Sequence, residues 1–148
     1  GIWVDGLCRT SDPNIFAAGD CANFPWRGVR TRIESVQNAV DQAKTVAATI
    51  LGRHHPYDEV PWFWSDQYEV KLQMAGISLG HDAEVLRGEP ATGQFSVVYF
   101  REGRLIAVDS INRPGEHMVA RKLLAAGASL TPAEAADPSF DLKARLAA

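Results

Sequence analysis

Residues 10–20 read TSDPNIFAAGD. Asp12-Pro13 is a turn pair, and it feeds a short apolar run, Ile15-Phe16-Ala17-Ala18, that stops at Gly19 before an acid, Asp20. A run this short, holding an aromatic and a β-branched residue and bounded by breakers, predicts a buried strand ending at a tight turn. Gly19 lets a ligand approach the backbone closely. Asp20 stands just past the strand end, where α/β folds bind ligands. The same residues also read as a strand end whose aspartate caps a turn.

Upstream, Ile2 and Val4 flank Trp3 and precede the turn signal Asp5-Gly6, which predicts a strand and a turn into the next one. The chain thus opens inside a sheet, as a piece of a larger domain would. Downstream, Cys21–Arg32 reads as an irregular stretch with Phe24, Pro25, Trp26 and three arginines, Arg27, Arg30 and Arg32. A helix follows. Val36, Ala39, Val40, Ala43, Val46, Ala47, Ile50 and Leu51 fall on one stripe at helical spacing, which predicts that this stripe is buried. Ser35 is placed to cap the start and Gly52 to follow the end. The free N–H groups and positive dipole end at Ser35, Val36 and Gln37 suit an electron-rich ligand. An ordinary surface helix with an ordinary cap fits the spacing equally well.

Arg53–Glu59 is polar and broken by Pro56, so it reads as a linker between residues 1–53 and a second domain over 58–148. There, PWFWSDQY is followed by alternation at Tyr68, Val70, Leu72 and Met74, a strand pattern. Further strands are predicted at Ala83–Arg87, Phe95–Arg101 and Leu105–Ile111, the last two joined by a hairpin at Glu102-Gly103. Helices are predicted at Glu116–Ala126, after the capping-box spacing of Thr131 and Glu134, and at Leu142–Leu146. This order makes the second part an α+β domain, an antiparallel sheet with flanking helices.

Length, 148 residues, suits one ordinary domain or parts of two. With 46% hydrophobic and 22% charged residues the chain belongs with globular proteins and not disordered ones. A net charge of −3 gives no reason to expect nucleic-acid binding. No apolar run is long enough to span a bilayer, and the first residues lack the features of a signal peptide. Cys8 and Cys21 form neither a CxxC pair nor a zinc pattern and are expected to be free thiols. A cytoplasmic location is the corresponding expectation. His54, His55, His81 and His117 have no metal-ligand spacing, and Asp66 receives no role.

The pattern T-x-x-P-x-I-(F/Y)-A-x-G-D resembles the second flavin motif of FAD-dependent pyridine-nucleotide reductases. Together with RIESVQNAVDQA at 32–43, PWFWSDQY at 61–68 and AVDSINRP at 107–114, it makes nearly the whole chain resemble the C-terminal portion of FAD-dependent NAD(P)H:ferredoxin reductases of the putidaredoxin reductase type, which feed cytochrome P450s and aromatic-ring dioxygenases. The resemblance implies that residues 1–53 end a glutathione-reductase-like α/β FAD-binding domain. It implies that Asp20, after Gly19, binds the ribityl chain of FAD, that the backbone at Val36 between Ser35 and Gln37 meets the pyrimidine edge of the flavin, and that Trp64 lies near the ring. Val36 is aliphatic, as in the P450-type members; dioxygenase-type members can carry Trp there. No G-x-G-x-x-G occurs, so both Rossmann units such enzymes carry would precede Gly1. The implied reaction passes electrons from NAD(P)H through FAD to a two-iron, two-sulfur ferredoxin. Arg27, Arg30 and Arg32 are then candidates to dock that acidic partner, with Arg53 a weaker one; solvated loop charges are the alternative. Nothing looks like a catalytic acid or base. Two other readings stay open: a flavin reductase with another acceptor, such as rubredoxin or oxygen, and a non-catalytic module that dimerises through its bare apolar surface.

Overall fold

Ile2 and Trp3 pair in parallel with Ala22 and Asn23, so the chain's first strand, β1 (Ile2–Trp3), lies beside β2 (Ala22–Trp26), which turns back antiparallel into β3 (Val29–Thr31). The computed structural model describes residues 1–146. It divides the chain into two units, Gly1–Pro61 and one beginning at Trp62.

In the first unit the stretch expected to be irregular is a hairpin. Its turn places Arg27 at φ 45° and Gly28 at φ 81°, a left-handed pair that matches strand twist. Pro25 is tolerated because β1 ends its pairing at Asn23, leaving no ladder bond for a missing N–H to break. The reverse holds for Ile15–Ala18. This run is no strand; only Phe16 forms an isolated bridge, with Arg9, and Ile15 is exposed. The loop before it is folded locally instead, by the Asp5 carboxylate accepting from the Leu7 and Arg9 amides and from Arg9 Nε, each at 2.9 Å. Val4, Ala17, Ala22, Phe24 and Tyr57 form the core, with the Tyr57 ring edge-on to Phe24 at 5.2 Å.

Helix α1 (Val36–Ile50) starts at the predicted cap: Ser35 Oγ accepts from the Asn38 amide at 3.2 Å. Its buried face is not the predicted one. Ser35, Asn38, Gln42 and Thr49 are buried, whereas Val36, Val40, Ile50 and Leu51 are exposed. The polar stripe faces irregular chain, whose backbone groups need partners: Gly19 donates to Gln42, and Thr49 Oγ1 lies 3.5 Å from Leu7 O.

The second unit is a five-stranded antiparallel sheet of order β4-β5-β8-β7-β6, comprising β4 (Trp62–Gln67), β5 (Val70–Gly76), β6 (Ala83–Glu89), β7 (Gln94–Arg101) and β8 (Arg104–Ile111). Glu102 (φ 51°) and Gly103 (φ 72°) make the predicted hairpin turn. The alternation expected from Tyr68 begins later, because Tyr68 (φ 55°) sits in the β4–β5 turn with its side chain 96% exposed. Helix α2 (Pro114–Ala126) packs on β5 and β8 and stops at Gly127, φ 65°. Thr131 and Glu134 form the predicted capping box of α3 (Pro132–Ala136), and Leu142–Leu146 is a 3-10 turn. An α+β domain with flanking helices is what the patterning implied.

Candidate functional site

Gly19–Cys21 is a single 3-10 turn with Asp20 on its exposed side. Gly19 adopts φ 77°, and a Cβ there would stand 3.1 Å from the Ala39 Cβ. Helix α1 therefore makes a close approach at Gly19 that requires glycine by itself. Gln42, one turn further along α1, accepts from the Gly19 amide at 2.7 Å. The Asp20 carboxylate has no hydrogen bond or ion pair among the described residues, so both oxygens are available to hydroxyl donors.

The start of α1 lies next to this turn. Ala39, which touches Gly19, is three residues past Val36, about 4.5 Å along the helix axis. Ser35 uses its side chain on the Asn38 amide and its carbonyl on the Ala39 amide. The Val36 and Gln37 amides have no partner among the described residues. Their N–H groups and the positive helix end favour negative charge. Three buried polar atoms in the first two turns of α1 also lack partners among the described residues: Gln37 Oε1, Asn38 Oδ1 and Gln42 Nε2. The turn that carries Asp20 thus packs on the same helix as the Val36 and Gln37 amides, an acceptor for hydroxyls and an open set of backbone donors on neighbouring elements. That arrangement fits the ribityl hydroxyls and the electron-rich pyrimidine edge of a flavin.

Of the three arginines, Arg30 does not serve as a free surface charge. Its guanidinium donates to Asn23 Oδ1 at 3.0 Å, to Val4 O at 2.9 Å and to Asn23 O, and lies 3.9 Å over the Trp3 ring. It ties the three strands together. Arg27 lies 4.8 Å over the Trp26 ring, and Arg32 pairs at the surface with Glu34 at 2.8 Å. Cys8 is buried and Cys21 exposed, both free; burial pushes the Cys8 thiol up to about 11.

Trp64 belongs to the second unit, 39% exposed on β4 and 5.8 Å from Trp62. Trp62 in turn carries the Arg121 guanidinium at 4.2 Å and the His117 ring at 5.6 Å. His117 is a core histidine: it is buried, and neither ring nitrogen has a partner among the described residues. Burial, and then the Arg121 charge, push its pKa down to about 4. The unfolded chain binds this proton near the ordinary value of 6.5, the folded one only near 4. Stability of this unit therefore falls as pH drops from 6.5 towards 4, by about 3 kcal/mol in all. His117→Leu removes that step, measured as urea midpoints at pH 7 and pH 4.5. The Glu116 carboxyl, held down by Arg113, Ser96 and Arg87, adds a separate loss below the ordinary carboxylate range.

A cleft of about 500 Å³ opens at the start of α2, walled in part by Arg87, Arg113, Glu116 and Lys143. Its inner charges are already paired: Arg87 Nε and Arg113 Nη2 both donate to Glu116 Oε1, at 2.9 and 2.5 Å. His81 pairs with the Ser78 carbonyl and Glu84, and no group of three or more metal-ligating side chains occurs among the described residues. No described helix is long and apolar enough to cross a membrane.

The family model described as Reductase C-terminal matches residues 62–146. The chain belongs to that family. Residues 1–43 match the model described as Pyridine nucleotide-disulphide oxidoreductase. Rhodocoxin reductase of Rhodococcus erythropolis is 53% identical over 99% of the chain and 35% of its own length. A ferredoxin reductase from Rhodopseudomonas palustris superposes with a TM-score of 0.94 at 50% identity, over 97% of this chain and 36% of that one. The reductase in the covalent putidaredoxin reductase–putidaredoxin complex gives a TM-score of 0.94 at 41% identity, over 99% of this chain and 36% of that one. The chain spans little more than a third of the length of these relatives. The Reductase C-terminal match begins at the same residue as the second structural unit, Trp62.

Gln42 was missed in the sequence because the apolar stripe of α1 outweighed an equally regular polar one. Residues 35, 38, 42 and 49 recur at helical spacing, and a buried polar stripe of that kind marks a helix that packs on loop backbone.

Proposed function

We propose that this chain is the flavin-ring half and C-terminal domain of a ferredoxin reductase that passes electrons from NAD(P)H through FAD to a two-iron, two-sulfur ferredoxin serving an oxygenase. The supporting observation is the unpartnered Asp20 carboxylate on a turn that packs against α1, the helix whose Val36 and Gln37 amides are open. Bound FAD would supply the redox chemistry, accepting hydride at its N5 and releasing electrons singly. The chain's own residues bind and orient: Asp20 accepts from ribityl hydroxyls, while the Val36 and Gln37 amides face the pyrimidine edge and favour its negative, reduced form. The assignment of Trp64 to the flavin rests on the resemblance alone. Residues 1–53 are proposed to close the FAD-binding domain and 58–148 to form the reductase C-terminal domain. Arg27 and Arg32 remain the proposed docking charges, and a cytoplasmic setting with its acidic ferredoxin fits them.

The test is an FAD titration of the chain followed by flavin fluorescence. Asp20→Ala is expected to weaken binding at least tenfold, the scale of one to two lost charge-assisted hydrogen bonds. Equal binding by both proteins would contradict the proposal. One observation favours a second property. The exposed Val36, Val40, Ile50 and Leu51 on α1 suit self-association of the isolated chain into a homodimer. A monomer by light scattering would dismiss it.

A further inference from the structure

We infer that Gln42 is a positioning residue for the flavin site: it fixes the Gly19–Asp20 turn against α1, so that the Asp20 carboxylate and the open end of the helix act on one ligand. The inference rests on the flavin reading just proposed. Gln42 is 0% exposed and shares no strand or helix with the turn it holds. The direction of the bond is fixed by chemistry, because the Gly19 N–H can only donate and so selects Oε1. At 2.7 Å it is short, and it bridges residues 23 positions apart.

The cost of the arrangement argues that it has a purpose. Gln42 Nε2 is buried without a partner among the described residues, a penalty that leucine or methionine at the same place would avoid. Packing alone therefore does not account for glutamine here. A single turn such as Gly19–Cys21 has little rigidity of its own, since three residues form only one helical repeat. Ala39 supports it from below and Gln42 holds its first amide, both from the face of the helix that starts at Val36. Without Gln42 the turn keeps its contact with Ala39 but loses its only hydrogen bond to the helix among the described residues. Asp20 is the next residue. A shift of the turn moves its carboxylate relative to the Val36 and Gln37 amides, and misplacement on the order of 1 Å is enough to weaken a site built from two elements.

The experiment measures FAD binding by fluorescence for the chain and for Gln42→Leu, Gln42→Glu, Asp20→Ala and the Gln42→Leu/Asp20→Ala double variant. Amide exchange at Gly19 is followed by NMR in parallel. Gln42→Leu is expected to raise Kd about tenfold and to speed Gly19 exchange by at least that factor. Gln42→Glu keeps an acceptor at the same reach and returns Kd to within about threefold of the parent. In the Asp20→Ala background the leucine substitution has little further effect, because Gln42 acts through Asp20. An unchanged Kd in Gln42→Leu overturns the inference and leaves the flavin reading intact. So does an equal effect with and without Asp20, which marks Gln42 as general packing. A parent chain that binds no FAD overturns the inference for this chain and shows that residues 1–53 form no flavin site on their own.

Discussion

Replacing Arg87 with leucine is expected to lower the unfolding free energy of the second unit by about 3–5 kcal/mol, the cost of breaking a buried ion pair from one side. Arg87 sits on β6, only 4% exposed, with Nε on Glu116 Oε1 at 2.9 Å. Its two terminal nitrogens reach the carbonyls of Glu134, Ala135, Asp137, Pro138 and Phe140. Those carbonyls end α3 and run through the irregular segment behind it, where no ladder or helix supplies donors. Guanidinium is the side chain that can serve them, with five N–H groups in a fixed plane. Leucine removes these donors, leaving the Asp137 carbonyl with the Phe140 amide alone and Glu116 with Arg113 and Ser96 alone. Arg87→Lys keeps the charge but not the fork, and should recover less than half of the loss. Urea denaturation followed by tryptophan fluorescence checks both. A loss below about 1 kcal/mol for Arg87→Leu would mean that the segment is held by its apolar contacts.

Gly76→Ala should be nearly as damaging, by about 2–5 kcal/mol, from left-handed strain plus overpacking. Gly76 ends β5 at φ 80°, opposite Ala107. A Cβ there would lie 2.2 Å from the Ile106 carbonyl oxygen and 3.0 Å from the Ala107 Cα, both backbone atoms that no side-chain rotation relieves. Gly93 is the control. It has a similar φ of 68° with nothing within 4 Å, so Gly93→Ala pays the strain alone, about 1–2 kcal/mol. Thermal melts of the two variants separate the close approach from the backbone strain. Equal losses would show that the β5–β8 contact at Gly76 yields easily.

The second unit was the more legible part of the sequence, for a physical reason. Strands β5 and β8 pack on α2 and β6 on α3, so burial alternates along Phe95–Arg101, while Glu102-Gly103 marks the hairpin turn and Gly127 the end of α2. The exception was Tyr68, whose place in the alternation was coincidental. In the first unit, the two-residue β1 and a hairpin containing Pro25 carry no period at all. The Ile15–Ala18 run is apolar because Ala17 reaches the core, not because it is a strand. The periodicity of α1 was correct and its orientation reversed. The candidate site was legible only as a motif: the turn that carries Asp20 packs on the helix that begins at Val36. What holds the turn on the helix was not legible, since Gln42 and Ala39 act across 23 and 20 positions of chain. Arg30 was misread for a related reason, because the backbone carbonyls it binds have no signature in sequence.

The claim that Asp20 and the start of α1 form one flavin-binding surface is tested most directly by an NMR titration of the labelled chain with FAD. The account predicts saturable shifts centred on the Gly19, Asp20, Val36 and Gln37 amides, lost together in Asp20→Ala. Shifts confined to other residues, or none at saturating FAD, would contradict it.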